Sequence, residues 1–464
     1  MGFLNEKAGG SALLTLGASQ AMDDFKAQIQ FGSTSKTMPP QILSVFRNPG
    51  WVPGQVIAID GSTVSAPLTN GFPGADASLL KVSIVSIDLH ALNDLDDDEI
   101  PDPLLFGNME KTSTFDAVLP GANVVRKGLS GDSPSKFFRH CLHKLLQSKI
   151  DEDWESLGDT LNAIEGGRHD VSQVTCPIEG CRKKLARGEG EYVCQCERQE
   201  TIYEADSLRF IERFNETGSN GEPHGEVRHL IEVLALFNVL RYFAVQPGLH
   251  ALRDTVFILD GPLAMFGHAA WLTKYILDEL RRINDLCLAE GFELALFGYE
   301  KSGQFVNHFE MLDFCEENGP RRAIKPQTAI GPSADYINTC ITMRPKGKVH
   351  GQDTYFGRKV LYKTRSGDHA VVTIAILNDD GKDFRRNDVA CYPRLADCLD
   401  VLDHLSTYLY HDGFVPLIRA HAHAAIPLHR GTSILRDLVF GKDAKPTAST
   451  GPAGRIVADK NNRP

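Results

Sequence analysis

The chain has 464 residues, of which 42% are hydrophobic and 23% are charged. This composition excludes a wholly disordered chain and a collagen-like polymer, and the length is sufficient for more than one folded unit. The 49 Lys and Arg residues against 60 Asp and Glu residues give a net charge of −11, which argues against nucleic-acid binding through bulk positive charge.

The first part of the chain reads as an irregular segment followed by two strands. Residues 1–50 are irregular apart from a short helix near residues 21–29. The apolar run 55–60 predicts a strand that ends on Asp60, because Gly61-Ser62 is typical of a turn. The alternating pattern over residues 80–89 predicts a neighbouring strand in the same sheet.

Helices and strands alternate over the rest of the chain, which predicts an α/β fold with a mixed sheet and flanking helices. Ser133 and Pro134 are typical of a helix start, and residues 218–225 read as a Gly-rich linker. The pattern predicts helices over 133–165, 226–243, 271–290 and 393–410, strands over 254–260 and 293–298, and a hairpin over 355–364 and 370–377. The polar tail over 441–464 is predicted to be disordered.

Two aspartates have the same local setting. Asp60 and Asp260 each follow an apolar strand and precede a glycine. Ligands of α/β sheets bind beyond strand ends, so two carboxylates there are positioned to share metal ions. The alternative is that each Asp-Gly pair forms a tight turn.

A third acid lies within an apolar helix. Glu232 is surrounded by LIEVLALF, so its carboxylate must be paired, protonated or bound to a cation. A structural ion pair with Arg228 or Arg241 is the alternative. Glu226 lies about 120° round the helix from Glu232, so we expect the two not to face one site.

Four cysteines form two close pairs, Cys176-x4-Cys181 and Cys194-x-Cys196. Two such pairs about a dozen residues apart can close a four-thiolate zinc site, which would be structural because it leaves no open position. The alternative is four ordinary reduced thiols. The remaining cysteines are scattered, as is typical of a cytoplasmic protein.

Basic and histidine side chains complete the candidates. Lys301 follows a predicted strand, and Arg358 and Lys359 lie on the predicted hairpin; each is a candidate for phosphate binding, with ordinary surface charge as the alternative. His421, with His423 as the alternative, lies on an Ala-rich stretch and can ligate a metal or orient a water. No apolar run approaches the ~20 residues of a membrane span, so we expect no membrane insertion.

Taken in order, AIDGS at 58–62, the buried helical Glu, ILDGPL at 258–263, GYEK at 298–301 and GFVPLIRAH at 413–421 resemble the NurA nuclease family. The resemblance implies an RNase H-like (Piwi-like) mixed sheet core and a DNA nuclease that uses Mn²⁺ or Mg²⁺. It also implies a homodimer that works with a HerA-type hexameric ATPase, in DNA-end processing or anti-phage defence.

The resemblance assigns roles residue by residue. Asp60, Glu232 and Asp260 match the metal-binding acids, with Glu226 in reserve, and His421 matches the late histidine. Phe414 stands where the family usually has Tyr, so a hydroxyl role there is lost. The nuclease domain then covers 51–440, with a zinc-binding insertion at 170–210. A catalytically weak adaptor and an RNase H-like enzyme acting on RNA are the alternative functions.

Overall fold

An eight-stranded sheet forms the centre of the computed structural model. The structure describes residues 19–28, 38–45, 53–68, 74–89, 110–166, 173–176, 181, 183–186, 190–196, 199–245, 248–314, 323–342, 349–407 and 413–425. Its strands are β1 Gln55–Pro67, β2 Asp76–Asp88, β3 Glu110–Pro120, β4 Gln173–Thr175, β5 Lys184–Ala186, β6 Glu191–Val193, β7 Thr201–Tyr203, β8 Thr255–Asp260, β9 Ala295–Glu300, β10 Thr328–Ile330, β11 Gly357–Lys363, β12 His369–Ala375, β13 Ser406–Thr407 and β14 Gly413–Phe414.

The central sheet has the order β10-β11-β12-β9-β8-β1-β2-β3. Strands β1, β8 and β9 run parallel to one another, and every other neighbouring pair is antiparallel. The sheet is therefore mixed, as predicted. Parallel strands need a crossover, and in the described part of the chain between β1 and β8 it contains the six strands β2 to β7 and the helices α2, α3 and α4.

The helices flank this sheet. They are α1 Gln20–Gln28, α2 Pro134–Leu146, α3 Leu157–Glu165, α4 Gly221–Phe243, α5 Thr273–Ala289, α6 Gln304–Leu312, α7 Ala334–Tyr336, α8 Asp379–Lys382, α9 Leu395–Leu405 and α10 Val415–Ala424. Among the described helices, none taken singly has the length and apolar composition of a membrane span; a bent pair, Gly221–Phe243 with Gly248–Asp254, reaches both only in combination.

The two faces of the sheet carry separate apolar cores, because side chains alternate along each strand. Ile57 and Ile59 of β1 pack with α2, α3, α4 and α5 on one face. Val56 and Ala58 pack with α9 and α10 on the other. Asp60 continues this second series, so its side chain belongs to the face covered by α10.

Local differences from the sequence predictions have identifiable causes. Ser133 caps α2 as predicted, but residues 133–165 form two helices, the second capped by Ser156. The predicted linker at 218–225 is wrong from Gly221 onward, because α4 already begins there. The predicted helix over 393–410 ends at Leu405, since β13 then pairs with β14.

Other elements agree with their predictions. The hairpin forms from β11 and β12, and β8 and β9 occupy the predicted strand positions. The cysteine-bearing segment forms two small sheets of its own, β4 with β5 and β6 with β7. The predicted tail over 441–464 lies outside the described residues.

Candidate functional site

Two aspartates meet on adjacent parallel strands. Ile59 of β1 pairs with Leu259 of β8, which brings Asp60 beside Asp260 at the next position. The side chain of Asp60 is 1% exposed and that of Asp260 is 23% exposed. Burial, followed by the neighbouring Asp60 carboxylate, raises the pKa of Asp260 to about 6. The pair therefore concentrates more negative charge than its surroundings solvate.

The predicted turn after Asp60 is wrong. Strand β1 continues to Pro67, and Gly61 and Ser62 pair with Val82 and Lys81 of β2. The two strands stay in register over all 13 residues of β1, so the backbone groups of Gly61 and Ser62 belong to the ladder. Asp60 therefore lies inside a strand, whereas Asp260 is the last residue of its strand.

Two basic side chains face this acidic pair, as far as the described residues go. The Lys301 ammonium lies 3.1 Å from Oδ1 of Asp260 and 3.9 Å from Oδ2 of Asp60. Nδ1 of His421 lies 2.9 Å from Oδ2 of Asp60. Both basic side chains remain partly exposed, by 39% and 59%. The cluster therefore opens towards solvent on its cationic side.

Two serines hold the histidine helix against the sheet. The Ser83 hydroxyl, on the residue paired with Asp60, donates to the carbonyl of Ala420 at 2.7 Å, and the Ser62 hydroxyl donates to the carbonyl of Ala424. These bonds bracket His421 and fix α10 over β1 and β2. Neither serine was predicted as a site residue; Ser62 lies within the AIDGS motif at 58–62, but nothing in the local sequence distinguishes Ser83.

Glu232 approaches Asp60 from the opposite face of the sheet. It is 1% exposed, and its carboxylate pairs with Arg228, as the structural alternative proposed. A Cβ added to Gly61 would lie 2.5 Å from Oε1 of Glu232. The Glu232 carboxylate therefore lies against Gly61, the residue after Asp60 in β1, and a side chain at Gly61 would displace it.

His229 adds a proton-sensitive contact to Glu232. Its Nε2 lies 2.7 Å from the carbonyl of Ala264, and its Nδ1 lies 3.3 Å from Oε2 of Glu232. Nε2 must donate to a carbonyl, so Nδ1 carries a proton towards Glu232 when the imidazole is charged. Arg228 and His229 were not predicted as site residues, although both stand in the quoted helix at i−4 and i−3 from Glu232.

A cavity of about 680 Å³ opens between α4 and the ends of β8 and β9. Glu226 and Glu232 both line it, so the expectation that they face different sites is wrong. The cavity is wide enough to span the 120° between them. Its other charged lining residues are Arg213, Glu222, Arg228, His229, Asp260, Glu300 and Lys301.

Glu300 at the cavity wall forms an ion pair with Lys359. Lys359 is 5% exposed, and burial lowers the pKa of its ammonium well below the usual range. The ammonium also lies 4.6 Å from the ring centre of Phe305. Lys359 is thus enclosed by its partners and does not present a phosphate site at the surface.

The cysteine segment brings its thiols together. Ligand atoms of Cys176, Cys181 and Cys194 all lie within 4.8 Å of one another; across the described residues, no other set of three acidic, histidine or cysteine side chains meets this spacing. The Cys181 and Cys194 sulfurs are 3.6 Å apart. Burial and then hydrogen bonds with Cys196, Cys181 and Cys176 raise the pKa of Cys194.

A buried ion pair attaches the cysteine segment to the helical layer. Nε of Arg139 on α2 donates to Asp206 at 2.7 Å, and Asp206 also accepts from the N–H of Tyr203 at 2.9 Å. Arg139 donates to the carbonyl of Thr201 as well, at 2.8 Å. The strand β7 is therefore tied to α2 by side-chain as well as backbone groups.

Two crystal structures of NurA proteins are similar to this chain. The crystal structure of the NurA nuclease from Sulfolobus solfataricus matches 98% of this chain and 99% of its own, at 12% identity and a TM-score of 0.29. Another crystal structure of NurA matches 95% of this chain and 99% of its own, at 9% identity and a TM-score of 0.25. No family model and no curated protein matches the chain.

Proposed function

We propose that this protein is a divalent-metal-dependent DNA nuclease that hydrolyses phosphodiester bonds. The observation that carries the proposal is the Asp60–Asp260 pair on neighbouring parallel strands, flanked by His421 and Lys301. The series of motifs that resembles the NurA family runs through these same residues.

The acidic pair suits a hard divalent cation. Carboxylate oxygens are the ligands that Mg²⁺ and Mn²⁺ prefer, and the raised pKa of Asp260 reflects its burial and then the adjacent Asp60 carboxylate, both of which a bound cation would offset. Asp60 and Asp260 would hold the ion, and Glu232 would complete the ligand set after release from Arg228. A bound ion supplies Lewis-acid stabilisation of the phosphate charge.

The remaining side chains bind and orient the substrate. Lys301 contacts both carboxylates and is 39% exposed, so its ammonium can turn to a phosphate oxygen. His421 is oriented by Asp60 through Nδ1, which leaves Nε2 to hold or accept a proton at the scissile phosphate. Glu226, the reserve acid, already pairs with Arg213 at 2.8 Å.

The wider functional assignment follows from the motif resemblance. We propose an RNase H-like core, supported by the antiparallel β1, β2 and β3 continued by parallel β8 and β9. We also propose a homodimer that acts with a HerA-type hexameric ATPase in DNA-end processing or anti-phage defence. The net charge of −11 is compatible with DNA that is delivered by such a partner.

The cysteine cluster is proposed as a separate, structural Zn²⁺ site formed by Cys176, Cys181, Cys194 and Cys196. Thiolates are the ligands that zinc prefers, and the sulfurs of three of the four lie within 4.8 Å of one another. Cys196 contacts Cys194 and supplies the fourth sulfur. This ion would stabilise the inserted segment and take no part in cleavage.

The test is cleavage of end-labelled linear DNA by purified protein with Mn²⁺, Mg²⁺ or EDTA, with and without a HerA-type ATPase. Asp60→Ala should lower the rate roughly 1000-fold or more, because the ligand set loses its central acid. Asp116→Ala, an exposed acid on β3, is the matched control and should keep full activity.

Two outcomes would replace the proposal. Well-folded protein that binds the ATPase but cleaves nothing with either metal would favour the adaptor. Preferential cleavage of matched RNA would favour an RNase H-like ribonuclease. Unfolding midpoints of both variants separate a catalytic loss from a folding defect.

A further inference from the structure

We propose that Phe266 is a stacking platform for one base of a single-stranded DNA end. The DNA end would enter the cavity between α4 and the ends of β8 and β9, which we call the carboxylate cavity. This inference rests on the proposed nuclease function and adds a substrate-binding subsite to it. Phe266 lines the cavity and is 43% exposed, whereas Ala264 and Met265 immediately before it are buried. A large apolar ring is therefore exposed to water beside the charged side chains that line the cavity.

The ring is fixed by its surroundings. The Met265 N–H donates to the carbonyl of Thr354 at 2.7 Å, which ties the backbone beside Phe266 to the loop before β11. The Tyr355 ring meets the Phe266 ring edge to face, with centres 5.7 Å apart. The imidazole of His229 lies nearly parallel to the Phe266 ring, at 6.1 Å and 21°. Little conformational entropy would therefore be lost when a base stacks on it.

Gly267 fixes the path of the chain after the ring. Its φ of +64° is unfavourable for other residues, and an added Cβ would collide with the Glu226 carboxylate. Glu226 is itself held by Arg213 at 2.8 Å. The backbone after Phe266 therefore lies against Glu226 of α4, the helix that also carries Glu232.

The charges around Phe266 favour a nucleotide in one orientation. Arg213, Arg228 and Lys301 line the cavity and have side chains that are 36%, 31% and 39% exposed. These cations can meet backbone phosphates, whereas the acids of the cavity repel phosphate. The face of a base is neutral, so it matches the Phe266 ring and avoids the carboxylates.

A single strand fits this platform better than a duplex. A base inside a duplex has both faces covered by its neighbours. A base at a blunt end has one free face but is held in plane with its partner base, whereas an unpaired terminal base has a free face and can turn onto the ring. Stacking on an aromatic ring is tolerant of sequence, because every base has such a face. The subsite therefore selects frayed or single-stranded ends without reading their sequence.

The experiment measures binding of a fluorescein-labelled oligo(dT) 12-mer by anisotropy, with Ca²⁺ in place of the catalytic metal. Phe266→Ala should weaken binding roughly tenfold, and Phe266→Trp should keep it within about twofold. Phe314→Ala is the control, because Phe314 is 55% exposed and does not line the cavity. Photo-crosslinking of 5-iodouracil in the same oligonucleotide should label Phe266.

Several results would overturn the platform while leaving the nuclease proposal intact. One is a Phe266→Ala variant that still cleaves DNA and binds the 12-mer with unchanged affinity. Another is a Phe266→Ala variant whose affinity for a blunt duplex falls as much as its affinity for the single strand. Loss of affinity for a HerA-type ATPase alone would place Phe266 at a protein interface instead. Wild-type protein that neither binds nor cleaves DNA would remove the nuclease proposal itself, and the platform with it.

Discussion

The carboxylate cavity and the cysteine cluster both bring together side chains of the types that bind metals. The cavity is open to solvent, whereas the cysteine cluster is enclosed. Asp260 lines the open cavity, and Asp260 and the neighbouring Asp60 both face partly exposed cations. In the cysteine cluster, Cys176 and Cys194 are buried and pack against apolar side chains. An open site can admit substrate, whereas a closed one can only hold structure together.

The difference in exposure predicts different behaviour for the two proposed metal ions. A cation between carboxylates would exchange readily and leave the fold intact when removed. Thiolate ligands bind zinc tightly, and the binding free energy becomes folding free energy of a small segment. The type of ligand residue indicates which metal would bind at each site. The exposure of the site decides whether that metal would be structural or catalytic.

The largest expected effect is on zinc binding by the cysteine cluster. Cys194→Ser should abolish tight zinc binding and unfold the β4–β7 segment, because a buried ligand is lost. Zinc content by atomic absorption and protease sensitivity near residues 173–203 measure this. Cys141→Ser, a cysteine outside the cluster, is the control.

Mn²⁺-dependent cleavage should survive in Cys194→Ser at low temperature if the two regions are independent. Complete loss of cleavage in a variant whose central sheet remains folded would show that the cysteine segment contributes to the nuclease site. Full retention of zinc would contradict the four-thiolate assignment.

A second prediction concerns acid stability of the cavity helix α4. Burial lowers the pKa of His224 to about 4, and its ring is held by the carbonyl of Pro120 at 3.2 Å and the hydroxyl of Ser78 at 2.6 Å. Between about pH 4 and 6.5 the unfolded chain binds a proton here that the folded chain does not. The contribution of His224 to stability therefore falls as pH drops through this window, by at most ~3 kcal/mol, whereas the raised pKa of Asp260 acts in the opposite direction.

Urea unfolding at pH 7.0 and 4.5 measures this effect. His224→Gln should flatten the pH dependence, whereas His250→Gln, an exposed histidine, should leave it unchanged. The EDTA-treated protein should show the same slope, which separates this effect from acid release of zinc. An unaltered slope in His224→Gln would rule out His224 as its source.

The smallest expected effect concerns Gly61 of β1, against which the Glu232 carboxylate lies. Gly61→Ala should lower the cleavage rate roughly 10- to 100-fold, because the added Cβ displaces the Glu232 carboxylate. Gly74→Ala, where a Cβ meets nothing within 4 Å, is the matched control. The measurement is kcat with saturating Mn²⁺, together with the unfolding midpoint.

Glu232→Gln should resemble Gly61→Ala, and the double variant should lose little more than either single one. Additive losses would mean that Gly61 acts through something other than Glu232. Full activity in both single variants would remove Glu232 from the metal ligands.

Much of the architecture was readable from local patterns. Short apolar runs predicted β8 and β9, the β11–β12 hairpin formed over the predicted residues, and the Ser133-Pro134 start of α2 was correct. The errors arose where distant pairing overrode a local cue. Gly61-Ser62 has the composition of a turn, but β2 continues to pair with it, so β1 does not end at Asp60.

The sequence by itself determined which side chains were available: two Asp-Gly steps after apolar strands, a helical Glu, a late His and two cysteine pairs. Only the tertiary structure decided how they meet. Asp60 and His421 are 361 positions apart and touch because Ser62 and Ser83 dock α10 on the sheet. Glu232 reaches the same region from the opposite face because Gly61 has no side chain. Contacts of such long range depend on sheet register and helix docking, which no local pattern of residues encodes.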